Sequence, residues 1–287
     1  MKRYRKEDSD KLEVGQVFYT KRFVLTVDRA LCKGCDICKL VCPREAITIR
    51  PAVTGPDGKS LVPVIDVDEE KCDFHGICAV ACPFSAIKIS INGNGEIPAV
   101  VKGVFPVLTR DIDIDSSKCA ESCVKCEEKC PLGIISVTRS GQDSAPDISV
   151  DKELCAGCLI CREECPTDAV KVTKFIEGSI QIDNELCPEG CRKCLDVCPL
   201  NALYTDDDNR IGVRETACIY CGACRNVCPE AEALVIERTR IRHSPIESGA
   251  WNKGLERMTS TSALNKELTT SRIDKIRAAA TGAWNEE

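Results

Sequence analysis

Cys155-Ala-Gly-Cys158-Leu-Ile-Cys161-Arg-Glu-Glu-Cys165-Pro166 is the stretch on which the reading of this chain turns. Three cysteines at three-residue spacing can wrap around one small object, and a fourth follows four residues later, just before proline. The pattern recurs five times. In chain order the other runs are Cys32, Cys35, Cys38, Cys42 before Pro43; Cys72, His75, Cys78, Cys82 before Pro83; and Cys119, Cys123, Cys126, Cys130 before Pro131. After the quoted stretch come Cys187, Cys191, Cys194, Cys198 before Pro199, and Cys218, Cys221, Cys224, Cys228 before Pro229. The second run has histidine where the second cysteine should stand. The third and fifth carry one extra residue in the first gap. All 23 cysteines of the 287 residues lie in these runs, and His75 brings the donors to 24. No cysteine is left over for a disulfide or a nucleophile.

Thiolates are soft, polarisable ligands of the kind that iron in a sulfide cluster takes. Three closely spaced cysteines with a distant Cys-Pro are the spacing of a [4Fe-4S] cube, and in two-cluster proteins the fourth cysteine serves the neighbouring cube. Six cubes need 24 protein ligands, the number the runs supply. Structural zinc sites use two separated ligand pairs instead. Runs three and five share the Cys-x3-Cys-x2-Cys spacing of radical enzymes that bind S-adenosylmethionine. Those enzymes leave one iron open, whereas here Cys130-Pro131 and Cys198-Pro199 supply the missing ligand, and no barrel-sized segment follows.

Composition agrees. Aromatic residues are 4% of the chain, too few to build ordinary cores for units of this size, so each cube is expected to centre its own core and the apo chain to be unfolded. The formal charge of −6 counts thiols as neutral. Five cubes with four thiolates at −2 each, and one with three thiolates and an imidazole at −1, take it to about −17. The ends run the other way: residues 1–24 hold seven Lys/Arg against four Asp/Glu, and residues 238–287 nine against six. An acidic centre argues against a nucleic-acid binder. The opening Met1-Lys2-Arg3-Tyr4-Arg5-Lys6-Glu7 shows no apolar signal run, and no stretch is apolar for 18 residues. A reducing cytoplasm is the expected setting.

Internal repeats override the length prior. Alternating β-branched segments, which favour strands, flank each run. Before the runs stand Val24–Asp28, Val64–Val67, Asp111–Ile114, Asp147–Val150, Ile180–Ile182 and Arg210–Val213; after them, Ala46–Ile49, Ala86–Ile89, Ile134–Val137, Ala169–Val172, Ala202–Tyr204 and Ala233–Ile236. The repeating unit is strand, cluster loop, short helix, strand. Pro51–Lys59 reads as a turn-rich insertion and Asn92-Gly93-Asn94-Gly95 as another turn. Gly34, Gly76, Gly157 and Gly222 either bring main-chain N–H groups close to sulfur or serve the turn alone. A helix is expected from Thr259 to about Ala280, folded back on the third unit or docked on a partner.

Over residues 24–238 the repeat resembles the two-cluster ferredoxin fold. The fold class expected is α+β: three tandem two-cluster ferredoxin-like units at 24–105, 106–175 and 176–238. Basic arms flank them at 1–23 and 239–287. Because runs three and five share both the widened gap and Cys-Pro-Leu, runs three-four and five-six look like one duplicated module, which pairs the runs sequentially. A nested arrangement, four with five inside three with six, stays open. On sequential pairing the ligand sets are Cys32, Cys35, Cys38 with Cys82; Cys72, His75, Cys78 with Cys42; and Cys119, Cys123, Cys126 with Cys165. The others are Cys155, Cys158, Cys161 with Cys130; Cys187, Cys191, Cys194 with Cys228; and Cys218, Cys221, Cys224 with Cys198. His75 as a ligand makes the second cluster Cys3His and raises its potential, since imidazole removes a negative charge. Asp73 as ligand, or a three-iron cluster with His75 idle, stays open too.

The chain is similar to polyferredoxins, the multi-cluster electron-transfer subunits of anaerobic archaeal redox complexes. Its tandem units and the tail from Trp251 to Leu268 are most similar to the polyferredoxin of formylmethanofuran dehydrogenase, whose members carry eight clusters. That resemblance implies six [4Fe-4S] clusters passing electrons to or from a molybdopterin-type catalytic subunit, with no bond-making step in this chain. Polyferredoxins tied to hydrogenase or heterodisulfide reductase imply the same relay with other terminals. An enzyme working at the His75 cluster is the alternative of a different class.

Overall fold

The computed structural model describes residues 1–50, 61–120, 122–139, 145–246 and 249–259. The insertion at 51–59 and the helix expected after Thr259 lie outside them.

The first segment contains β1 (Lys2–Glu7), β2 (Lys11–Val17), β3 (Arg22–Asp28), α1 (Ile37–Val41), β4 (Ile47–Arg50), β5 (Val64–Val67), α2 (Ile77–Val80), β6 (Ile87–Ile91) and α3 (Pro98–Val101). The second contains β7 (Ile112–Ile114), α4 (Lys125–Glu128), β8 (Ile135–Thr138), β9 (Asp147–Val150), α5 (Ile160–Glu163) and β10 (Val170–Val172). The third contains β11 (Ile176–Ile182), α6 (Lys193–Asp196), β12 (Leu203–Thr205), β13 (Ile211–Val213), α7 (Ala223–Val227) and β14 (Leu234–Ile241); α8 (Asn252–Met258) follows. Every segment expected as a strand is one. Their alternation puts one face inward: Leu25 and Val27 of β3, and Ile65 and Val67 of β5, are buried.

Pairing repeats three times. The strand before one run joins the strand after the next, as β3–β6, β7–β10 and β11–β14, while the intervening pair closes a second ladder, as β4–β5, β8–β9 and β12–β13. All are antiparallel. Among the described residues, no strand flanking run four pairs with one flanking run five.

The two ends depart from expectation. Residues 1–23 are not an arm. β1 and β2 extend β3 into a four-stranded sheet ordered β1-β2-β3-β6. Leu12 and Val14 of β2 are fully buried against it, and the basic residues find acidic partners: Arg5 donates to Asp66 Oδ1 at 2.6 Å and to Val67 O at 3.0 Å. At the other end, β14 runs beyond residue 238 to Ile241, and the chain then crosses to the first segment rather than staying on the third. There α8 packs on α1, Arg257 Nη1 donates to Cys42 O at 2.8 Å, and Trp251 is fully buried. Trp251, Leu255 and Met258 share one hydrophobic core with Ile37 and Phe84, with Ala156 and Phe175, and with Leu200 and Ile219, so a single core runs through all three segments.

Candidate metal centres

Each run folds into the same local device, built from neighbours in sequence. The third cysteine (Cys38, Cys78, Cys126, Cys161, Cys194 or Cys224) sits in a one-turn helix. The residue two after the first cysteine is left-handed in four runs, Gly34, Phe74, Gly157 and Tyr220, and its N–H points back at the sulfur of Cys32, Cys72, Cys155 or Cys218. In the widened runs three and five the left-handed position moves one residue on, to Ser122 and Gly190. After the proline a second left-handed residue turns the next N–H onto the fourth sulfur. Glu45, Ser85, Asp168 and Asn201 hold that conformation. Ala46 N donates to Cys42 Sγ at 3.4 Å, and Ala86, Ala169 and Ala202 donate to Cys82, Cys165 and Cys198 Sγ at 3.3 Å. N–H groups aimed at sulfur favour its anionic form.

The fourth cysteine of a run faces the other run of its segment. Burial pushes the Cys32 and Cys38 thiols up, and the charge of Cys82 pushes the same way. Cys42 bears likewise on Cys72, which burial first raises to about 11. Cys165 bears on Cys119, and Cys228 on Cys187 and Cys194. Cys130 bears on Cys158 and Cys161, raised chiefly by burial to about 11 and about 12, and Cys198 on Cys221, raised to about 12. Cys198, Cys218, Cys221 and Cys224 line one apolar cavity with Ile180 and Ile236. None of the 23 cysteines is in a disulfide. Among the described residues no three His, Cys, Asp or Glu groups converge tightly enough to hold a single ion.

His75 stands edge-on to Phe105 with ring centroids 6.0 Å apart. Its Nδ1 accepts from Ile77 N–H at 3.2 Å, and its Nε2 is buried without a hydrogen-bond partner, 3.6 Å from Asp73 Oδ1. Burial lowers its pKa against the opposing charge of Asp73, which favours the neutral ring. A buried, unpartnered nitrogen is costly unless something binds it, which suits a ligand. Were Nε2 to hold a cluster, the ring proton would sit on Nδ1 and the hydrogen bond from Ile77 N–H would be given up.

Burial divides the runs. All eight cysteines of runs three and five are partly exposed, whereas each other run buries at least two. Spacing alone did not mark Asp36, Arg110, Lys174 or Arg238, which lie beside the cysteine loops in space. Each has a partner in another segment, so no local pattern points to them.

Repeated cysteine loops with N–H groups aimed at sulfur define an iron-sulfur electron-transfer protein. Residues 31–86 and 179–229 each match a 4Fe-4S dicluster domain, and residues 148–171 match a 4Fe-4S binding domain. An uncharacterized ferredoxin of Methanocaldococcus jannaschii is 35% identical over 58 residues, which is 20% of this chain and 94% of that protein. A ferredoxin of Methanothermococcus thermolithotrophicus is 34% identical over 61 residues, 21% of this chain and 98% of that one. A chain of the formate dehydrogenase–heterodisulfide reductase–formylmethanofuran dehydrogenase complex of Methanospirillum hungatei superposes with a TM-score of 0.80 at 31% identity, covering 90% of this chain and 92% of that one. The chain belongs to the 4Fe-4S ferredoxin family. Among the described residues no helix is long and apolar enough to cross a membrane.

Proposed function

We propose that this chain is a polyferredoxin subunit with six [4Fe-4S] clusters on the six ligand sets given above, paired sequentially in three two-cluster units. When bound, each cluster gains or loses one electron. The chain's residues hold the sulfurs, direct N–H groups at them and bury nine of the 23; they make and break no substrate bond. The relay serves a catalytic oxidoreductase, and we favour a molybdopterin-type formylmethanofuran dehydrogenase in an anaerobic archaeal cytoplasm. The observation that carries this reading is the likeness, over nearly the whole length of both chains, to a chain of a complex named for that enzyme. Strand pairing and the matches to dicluster domains over runs one-two and five-six support the sequential ligand sets.

The same complex is named for heterodisulfide reductase and formate dehydrogenase, which favours a second reading with those terminals. Anaerobic purification of the chain with its native partners tests both. Iron and sulfide near 24 atoms each per chain, the count set by 24 donors, and a copurifying molybdopterin subunit are expected. Zinc in place of iron ends the reading. Copurification with heterodisulfide reductase alone selects the second. Substrate turnover by the isolated chain points instead to an enzyme at the His75 cluster.

A further inference from the structure

The three segments meet along three seams, and a cation stands at each. Between the first and second, Arg110 donates to Cys82 O at 2.8 Å, Pro83 O at 2.9 Å and Cys155 O at 2.7 Å, with its guanidinium over the Phe175 ring at 5.3 Å. Between the second and third, Lys174 Nζ donates to Glu215 O at 2.6 Å and lies 5.0 Å from the centre of the Tyr220 ring. Between the first and third, Arg238 donates to Tyr220 O at 2.8 Å, Cys221 O at 3.1 Å and Asp36 Oδ1 at 2.6 Å. Arg225 also pairs with Asp36, so that group keeps one net positive charge.

Arg110 and Lys174 give these hydrogen bonds to main-chain carbonyls; the carboxylates of Glu153, and of Glu215 and Glu163, act on them from a distance. A cation withdrawn from water without a contacting anion is costly. Besides those carboxylates, and Asp36 at Arg238, the groups whose charge bears on these cations are sulfurs: Cys82 and Cys155 at Arg110, Cys218 and Cys158 at Lys174, Cys221 at Arg238. Cys35 faces Cys221 across the third seam. These sulfurs belong to three of the six proposed ligand sets, one in each unit: the set of Cys35 and Cys82, the set of Cys155 and Cys158, and the set of Cys218 and Cys221.

We propose that Arg110, Lys174 and Arg238 are positioning residues that join these three sites in a closed ring, each favouring the reduced state of the two sites it faces. The proposal rests on the six-cluster reading above. Reduction adds one negative charge to a site, and a cation beside it, half-buried at Arg110 and Lys174 and buried at Arg238, stabilises that charge. The units then form a ring in which each shares a seam with both others, and not a row.

The test uses the full-length holoprotein, with Arg110→Gln, Lys174→Gln and the double variant. Each is titrated anaerobically with dithionite and followed by electron paramagnetic resonance, with iron counted in every sample. Each Gln variant is expected to make two of the six one-electron steps at least tenfold less favourable, a shift of about 59 mV. In the double variant three steps move, and the one common to both, from the site of Cys155 and Cys158, moves by about the sum of the two shifts. Arg110→Lys and Lys174→Arg, which keep the charge, leave all steps within about threefold. A Gln variant with full iron and unmoved steps overturns the proposal, as does a double variant that moves four separate steps. Should a Gln variant lose iron, the charge-keeping variant decides, and a shift beyond threefold there counts against it. Unaltered protein holding far fewer than 24 irons sinks the six-cluster reading instead, whatever the variants do.

Discussion

Asp36 lies between Cys35 and Ile37 in sequence and between two guanidinium groups in space. Its side chain is 4% exposed and that of Arg238 is 3% exposed, with 2.6 Å between Oδ1 and Nη2. Asp36→Ala leaves Arg238 buried without its counter-charge, and removing one partner of such a pair costs about 3–5 kcal/mol. Arg238 keeps its bonds to Tyr220 O and Cys221 O, which places the cost at the low end, about 3 kcal/mol. That is roughly a 150-fold change in the equilibrium. Arg225, with 36% of its side chain exposed, can turn to water and adds little. A protein with bound metal does not unfold in two states, so the readout is the guanidinium concentration at which far-UV dichroism and visible absorbance are half lost, under anaerobic conditions. A drop of about 0.5–1 M is expected. Asp36→Leu with Arg238→Met removes both charges and should recover most of it, because apolar replacements of a buried pair are often neutral or better. The reasoning fails if Asp36→Ala keeps the original midpoint, or if the double variant is no more stable than the single.

Trp251 is fully buried, and Trp251→Ala should cost about 3–5 kcal/mol and release α8 from α1. Limited proteolysis checks it: a new cut after residue 241 is expected, and an unchanged digestion pattern would falsify the docking. Because the sulfurs of runs three and five are the exposed ones, stepwise admission of air should remove about 8 of about 24 irons before the rest. Loss of all iron in one phase contradicts that. His75→Cys adds a thiolate where Nε2 now lacks a partner, so one reduction step should move to lower potential. An unchanged spectrum and potential removes His75 from the ligand set.

Much of the site was legible in the chain because it is assembled locally. Cysteine spacing decides which sulfurs can share a space. The left-handed turns at Gly34 and Gly157, and at Glu45 and Ser85, involve residues two to four positions from the sulfur they serve. The strands beside the runs were legible for the same reason, since alternation depends on nearest neighbours. β1 and β2 were not. Their dense charge reads as a solvated arm; pairing with Glu7 and Glu13 nearby and with Asp66, about sixty positions away, makes that charge compatible with a sheet. The place of Trp251 and α8 was not legible either, because the core that receives them is built by α1 and α2 at the far end of the chain.

The sequence by itself determined the cysteine loops, the donors and the three-fold repeat of paired strands, all of which follow from short-range spacing and period-two patterning. Tertiary structure alone decided how the repeats meet. Asp36 finds its partners 189 and 202 residues later, and Arg110 binds carbonyls on both sides of itself in sequence. Packing of buried surface and the need to place each charge near its opposite set those contacts, and neither leaves a periodic trace in the chain.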